Sequence, residues 1–441
     1  MVERSRTVRT IGCGAGFAGD RVDPAVAIAA SGLADAVALE CLAERTLVPG
    51  LRARKSDPAA GADPRLRRRL KPLLPAAGAN GCRVISNLGA ANPAAAVRQI
   101  AALAGEIGCK ACVAGVVGDD VLTKKDQIDW QTPITGQLLG AHAYLGCEPI
   151  VEAIARGADI VVTGRTADSA LFSAEVVPIL NNHPNALAGA TTVGHLLECS
   201  GQITGGNFNP IGRAALSAAD YAQLGFPLAT VHPDGSAEIF LLDGKPGIVD
   251  VLNCTLQLLY EVHDPSSYVT PDVIIDFTGV TFEQVGPNRV RVAGARSRGR
   301  PARLKVSGFV DMPGFIADAE IGFAGIGATH RGELAADALR MRLRDIPEED
   351  IRVDLVGVNS ILGDAAIASS APPAEVRVHV SARCADAEMA QIVEDEVIAL
   401  TLSGPAGGGS IRSERRPRLD VVDGFIDRDL VATELVWESL P

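Results

Sequence analysis

A short run, Thr7-Val8-Arg9-Thr10-Ile11, leads directly into Gly12-Cys13-Gly14-Ala15-Gly16-Phe17-Ala18-Gly19 and then Asp20-Arg21-Val22-Asp23-Pro24. The order reads as a strand, a glycine-rich turn, an acid–base pair and a helix start. Glycines so placed let the backbone take φ > 0 and approach a ligand closely. Asp23-Pro24 has the pattern of an N-cap followed by proline at the first helical position. Backbone N–H groups in such a loop can hold an anion. The plainer alternative is a tight strand-to-helix turn with no ligand.

The alternation of strand and helix continues. Apolar runs at 34–40, 82–87, 111–117 and 159–163 read as strands, and 24–31, 64–74, 93–108, 148–156 and 186–199 read as helices; 121–146 looks irregular. Apolar strands separated by helices imply parallel strands with helices on both faces. The expectation for residues 1–224 is a parallel, doubly wound, Rossmann-like α/β domain. The rhythm changes from 225. Two short runs flank Pro233-Asp234-Gly235, a hairpin pattern. Strand 303–310, helix 331–344, strands 351–358 and 375–381, helix 386–401 and a weak strand at 418–422 then follow the β-α-β-β-α-β order of a ferredoxin-like α+β domain. That domain is expected over 225–441.

The chain carries 41 basic and 53 acidic residues, a net charge of −12, without a basic stripe. This argues against nucleic acid as a partner. No signal-peptide pattern and no bilayer-length apolar run is evident, so a cytoplasmic protein without membrane contact is expected. The nine cysteines are scattered and odd in number, as suits reduced thiols.

In an open parallel sheet, ligands bind beyond the carboxyl ends of the strands. Those ends supply Gly14, Gly16, Asp20 and Arg21, then Glu40, Glu44 and Arg45, then Asn87, then Asp119 and Asp120, and finally Thr163, Arg165 and Asp168. So many polar residues on one rim are costly unless exposed, paired or liganded. Arginine there suits a carboxylate or phosphate, which makes Arg21, Arg45 and Arg165, with Gly14, Gly16, Asp20 and Asp168, the candidate substrate-binding set. Glu40, Asp119 and Asp120 are candidate acid–base groups, and Asn87 a hydrogen-bond partner for a substrate oxygen. The carboxylates could hold Mg²⁺, though no spacing specifies a metal. NAD(P) is a further alternative, since the glycines resemble a dinucleotide fingerprint and Glu40 ends the second strand. Asp20 would repel a pyrophosphate.

Ile11–Arg21, Leu39–Thr46, Ser86–Pro93 and Val162–Asp168 together resemble the acyclic terpene utilisation protein AtuA family, and Gly205-Gly206 and Gly404–Gly409 are similar to its later signatures. The resemblance implies a role in breaking down branched or acyclic terpenoid acids as CoA esters. It brings no assigned reaction. Some relatives carry an extra small C-terminal domain, expected here to be absent or separately encoded. The expectation is thus an enzyme acting on a small carboxylate or acyl-CoA by acid–base chemistry, of the hydratase/lyase or isomerase type. A non-catalytic assembly subunit and an NAD(P)-dependent oxidoreductase remain the alternatives. A homo-oligomer is expected from the edge strands a ferredoxin-like sheet leaves open.

Overall fold

A computed structural model describes residues 7–207, 216–366 and 372–439. The fold is mixed α/β. Five parallel strands form the centre of its largest sheet: β1 (Arg9–Ala15), β2 (Ala36–Leu39), β3 (Arg83–Ser86), β4 (Cys112–Val117) and β5 (Ile160–Thr163). Their spatial order is β1-β2-β3-β5-β4, every pair parallel. Antiparallel strands extend both edges. Leu228–Val231 pairs with β1, and Glu434–Ser439 with β4. The Pro233-Asp234-Gly235 hairpin forms as its sequence suggests, joining Leu228–Val231 to Ala237–Phe240.

Successive residues of a strand point to opposite faces, and the cores divide accordingly. Val37 and Leu39 pack with Ile28, Leu70, Leu73 and Ile100 on one face. Ala36 and Ala38 pack with Ile150, Phe172, Val193 and Leu196 on the other. Small residues in the central strands let the helices come close. A Cβ on Gly12 would lie 2.5 Å from Ile28 Cγ2, and one on Gly14 would lie 2.6 Å from Val37 Cγ1.

Several expectations need correction. None of Gly12, Gly14, Gly16 or Gly19 has positive φ; close packing, not a left-handed backbone, demands glycine there. Asp23 does not cap its helix. Helix Asp23–Ala30 has Val22 at the N-cap with no side-chain bond, because Asp23 pairs with Arg21. Two helices go unforeseen, Glu44–Ser56 and Asp168–Val176, each beginning just past a strand end. The stretch 121–146 is not irregular: it holds a 3₁₀ turn, Leu122–Gln127, and strands Asp129–Trp130 and Gln137–Ala143.

The chain divides into two compact units. One compact unit comprises 1–132, 139–308 and 422–441; the other comprises 133–138 and 309–421. Four strands of 225–308 extend the first unit's sheet, with Leu228–Val231 bonded to β1 and Ala237–Phe240, Arg289–Ala293 and Thr281–Gly286 following in turn. In the second unit, strand segments 309–324, 351–356, 375–384 and 409–421 lie in spatial order second, third, first, fourth. Helices Ala328–Arg342 and Ala387–Ser403 bury Leu339, Val393 and Val397 against Ile321 and Val378. No helix among the described residues is long and apolar enough to cross a membrane.

Candidate active site

A cavity of about 820 Å³ opens in the first unit beyond the carboxyl ends of β1, β2 and β5. Its size lies within the range of about 300–1,000 Å³ usual for small-molecule sites. The chain has four tyrosines, and all four, Tyr144, Tyr221, Tyr260 and Tyr268, line this cavity. They share the wall with six carboxylates: Asp20, Glu40, Glu44, Asp168, Glu198 and Glu261. Six described non-glycine residues have positive φ, and three of them, Ser200, Asn207 and Glu261, line the same cavity. Such backbone strain concentrates where function requires it.

Glu40 leaves the end of β2 and is 7% exposed. Asn87 Nδ2 and the Leu42 N–H both donate to its Oε1, at 3.0 and 2.8 Å. Asn87 Oδ1 in turn accepts the Cys41 N–H at 2.7 Å. Asn87 is fully buried and lies outside the cavity lining, where it holds Glu40 through its amide. Asp168 begins the helix after β5. Its Oδ1 is buried and has no hydrogen-bond partner among the described residues. Burial pushes the Glu40 carboxyl up. Burial, and then the charge of Glu40, push Asp168 well above the usual range. Burial beside a second acid favours the protonated form of Asp168.

Arg165 lies between these acids and is 4% exposed. Its guanidinium donates to the Leu42 carbonyl and, at 2.6 Å, to the Tyr144 hydroxyl, and lies 3.5 Å from Glu44. It also sits 4.0 Å over the Tyr144 ring. Burial disfavours the Glu44 charge, but Arg165 and the Tyr144 hydroxyl outweigh that and hold its carboxyl below the usual value. Arg165 therefore organises the wall, and only its buried Nε lacks a partner among the described residues. Arg21 is similarly engaged, by Asp23 and by the Leu224 carbonyl at 3.0 Å.

The glycine loop carries its own anion. Asp20 accepts the Gly16 N–H at 3.0 Å and the Arg21 N–H at 2.8 Å. Those are N–H groups a pyrophosphate would need, so the geometry gives the dinucleotide reading no support. Gly16 is required for a different contact: a Cβ there would lie 2.5 Å from the Glu198 carbonyl oxygen. The approach brings Glu198 to the cavity. Behind Glu198, His195 Nδ1 lies 2.8 Å from its Oε1, and Nε2 lies 3.2 Å from the Leu258 carbonyl. A neutral imidazole has one N–H, and serving two acceptors needs a second. Burial disfavours the His195 charge, but Glu198 and its hydrogen bond outweigh that and raise the pKa.

Of the residues singled out in the sequence, Gly16, Asp20, Arg21, Glu40, Arg165 and Asp168 are brought together. Gly14, Arg45, Asn87, Asp119 and Asp120 are not part of the lining. Asp119 is buried beneath the site, where its Oδ2 accepts the Arg165 N–H at 2.8 Å and sits 2.8 Å from His142 Nδ1. Gly164 permits this, since a Cβ there would lie 2.4 Å from that oxygen. Asp120 turns outward to Arg54 at 3.2 Å. Arg45 is exposed. Cys13 and Cys41 are buried with pKa values pushed well up by burial, which removes them as thiolate nucleophiles. Among the described residues no group of three or more His, Cys, Asp or Glu side chains could hold a metal ion.

Tyr144, Tyr260, Tyr268, Glu198 and Lys305 do not stand out in the sequence because they come from chain far from the repeated strand ends, Tyr268 and Lys305 from strands of the later half. One available signal was the scarcity of tyrosine, with three of the four falling between 221 and 268.

No curated protein and no solved structure matches this chain. A family model, acyclic terpene utilisation family protein AtuA, matches residues 9–437. With nearly its whole length matched, the chain belongs to the acyclic terpene utilisation AtuA family.

Proposed function

We propose that this protein is an enzyme of acyclic terpene breakdown that moves protons on a carboxylate or acyl-CoA substrate, as a hydratase/lyase or isomerase does. The family tie supports a part in acyclic terpene utilisation. The observation that carries the chemistry is the Glu40–Asp168 pair. Both carboxyls face one cavity, burial raises both pKa values, the charge of Glu40 raises that of Asp168 further, and one Asp168 oxygen has no partner among the described residues. The folds behind this site are read as Rossmann-like for the first unit and ferredoxin-like for the second.

In this reading Asp168, kept protonated by burial and by the charge of Glu40, is the donor. Glu198, whose Oε1 lies 2.8 Å from His195 Nδ1, is the acceptor. An α-proton passes to Glu198 while Asp168 protonates the far end of the conjugated system, shifting a double bond. Alternatively, water adds across the double bond: its oxygen bonds one carbon as it loses a proton to Glu198, and Asp168 protonates the other carbon. Tyr268, pushed up by burial, stays protonated and can donate to a developing oxyanion, whereas the Tyr144 hydroxyl proton is already given to Glu44.

The test is incorporation of solvent deuterium into branched acyl- and enoyl-CoA thioesters. Asp168→Asn should reduce it by about 10²–10⁴-fold, the usual contribution of a positioned acid or base, and Glu40→Gln should also reduce it, with melting temperatures near the parent's. Turnover by the parent should fall as pH rises through the raised pKa of the pair, because the donor loses its proton. Full activity in both variants would sink the assignment.

A further inference from the structure

A second chamber of about 290 Å³ adjoins the main cavity. The two share Tyr144, Asp168, Glu198, Glu261, Tyr268 and Lys305, which therefore form the throat between them. Glu40 belongs to the larger chamber alone. The smaller one is walled by Val269, Pro271, Pro301, Leu304 and Phe425. Val269 is 60% exposed and Phe425 36%, so large apolar side chains face the open space of a concavity.

Two polar side chains of that wall, Thr270 and Arg303, are already engaged. Thr270 Oγ1 donates to the Val273 carbonyl at 2.7 Å. Arg303 donates to Asp129 at 2.8 Å and to the Phe425 carbonyl at 3.3 Å, and its guanidinium lies 5.3 Å over the Phe425 ring. Beyond the throat there is little to hydrogen-bond a ligand and much to bury one. A pocket of this kind selects by shape and apolar area.

We infer that the smaller chamber is the subsite for the branched hydrocarbon end of the substrate, whose polar end occupies the larger chamber. The inference rests on the proposed acyl substrate and deepens it. A chain lying across both chambers passes through the throat. Its reacting carbons then lie against Asp168 and Glu198, the two carboxylates proposed as donor and acceptor.

The experiment is a binding titration of the full chain by thermal shift, with two branched carboxylic acids. One is a five-carbon methyl-branched acid that fills only the larger chamber; the other is a ten-carbon dimethyl-branched acid. Each buried methylene contributes roughly fourfold in affinity, so the longer acid should bind at least about tenfold more tightly. Val269→Trp fills the chamber from an exposed position that folding does not depend on. It should abolish the advantage of the longer acid while the five-carbon acid binds as before. Phe425→Ala, which removes one apolar wall, should weaken only the longer acid. Equal affinity of both acids for the parent, or an advantage that survives Val269→Trp, overturns the subsite. If Asp168→Asn still abolishes deuterium exchange in that case, the acid–base reading stands without it. Failure of either acid to bind overturns the subsite and the acyl reading together.

Discussion

Helix Asp168–Val176 carries a buried acid at each end, and the two are treated oppositely. Near its C-terminal end, Glu175 is 1% exposed, and its two oxygens fork around the single Nη1 of Arg83 at 2.8 and 3.1 Å, with Arg9 3.6 Å away. At its N-terminus, Asp168 faces a cavity, and one of its oxygens finds no partner among the described residues. Burial raises both pKa values, Glu175 to about 7 and Asp168 well up. For Glu175 the neighbouring arginines oppose that rise. For Asp168 the next influence is Glu40, which reinforces it. One end of the helix resolves a buried charge by pairing it. The other leaves it unresolved where a substrate can enter, and that difference separates a structural acid from a candidate catalytic one.

The largest effect on stability is expected where the resolved pair is broken from its exposed side. Arg83→Met removes the fork and strands Glu175, with only the more distant Arg9 left. Removing one partner of a buried pair costs about 3–5 kcal/mol, and the lower end applies because Arg83 is partly exposed. The penalty depends on pH with a fixed sign. The folded pKa of Glu175 lies above its unfolded value, so its contribution to stability is fully present below about 4.5 and is lost as pH rises through about 7. Loss of Arg83 raises the folded value further. Denaturation of Arg83→Met should therefore show a loss of about 3 kcal/mol near pH 8 and a smaller one near pH 5.5. A pH-independent loss would show that the fork does not hold an ionised Glu175. Deuterium exchange per folded molecule should be unaffected, in contrast to Asp168→Asn.

Asn87 joins the two treatments, because a fully satisfied buried amide there aims an acid into the cavity. Asn87→Ala leaves the Cys41 N–H without its acceptor and Glu40 Oε1 with one donor. It should cost about 1–3 kcal/mol, as for a buried polar group left unpaired. Deuterium exchange should fall through the misplaced Glu40. A stability loss with unchanged exchange would make Asn87 purely structural and would weaken the role given to Glu40.

The sequence shows the central strands well because each is a short apolar run closed by glycine, asparagine or an acid, a local pattern. Asn92-Pro93 opens its helix as expected, with Asn92 accepting the Ala95 N–H at 3.1 Å. Helix Glu44–Ser56 is masked by Pro49 and by charges at Arg52, Arg54 and Lys55, which dilute its apolar face. The first unit's return strand is also hidden, since Glu434–Ser439 pairs with β4 more than 300 residues earlier and nothing local signals it. At the site, the strand ends reveal Glu40, Arg165 and Asp168. The tyrosines and the His195–Glu198 pair depend on chain returning from 195–268, and only the tertiary fold sets that register.

Asp120 gives the comparison its smallest and most discriminating test. In the sequence it is indistinguishable from Asp119, and both end the same strand. In the fold Asp119 turns under Gly164 to accept the Arg165 N–H, while Asp120 turns outward to Arg54, with side chains 39% and 42% exposed. An exposed pair of this kind contributes about 0–1 kcal/mol. Asp120→Asn should therefore move the unfolding midpoint by no more than that, less still at high salt, and leave deuterium exchange at the parent's level. A large loss of exchange would mean that an acid outside the cavity reaches the chemistry, and the separation between engaged and open carboxylates would then fail as a guide to this site. An unchanged rate leaves Asp168, Glu40 and Glu198 as the acids whose surroundings keep them available.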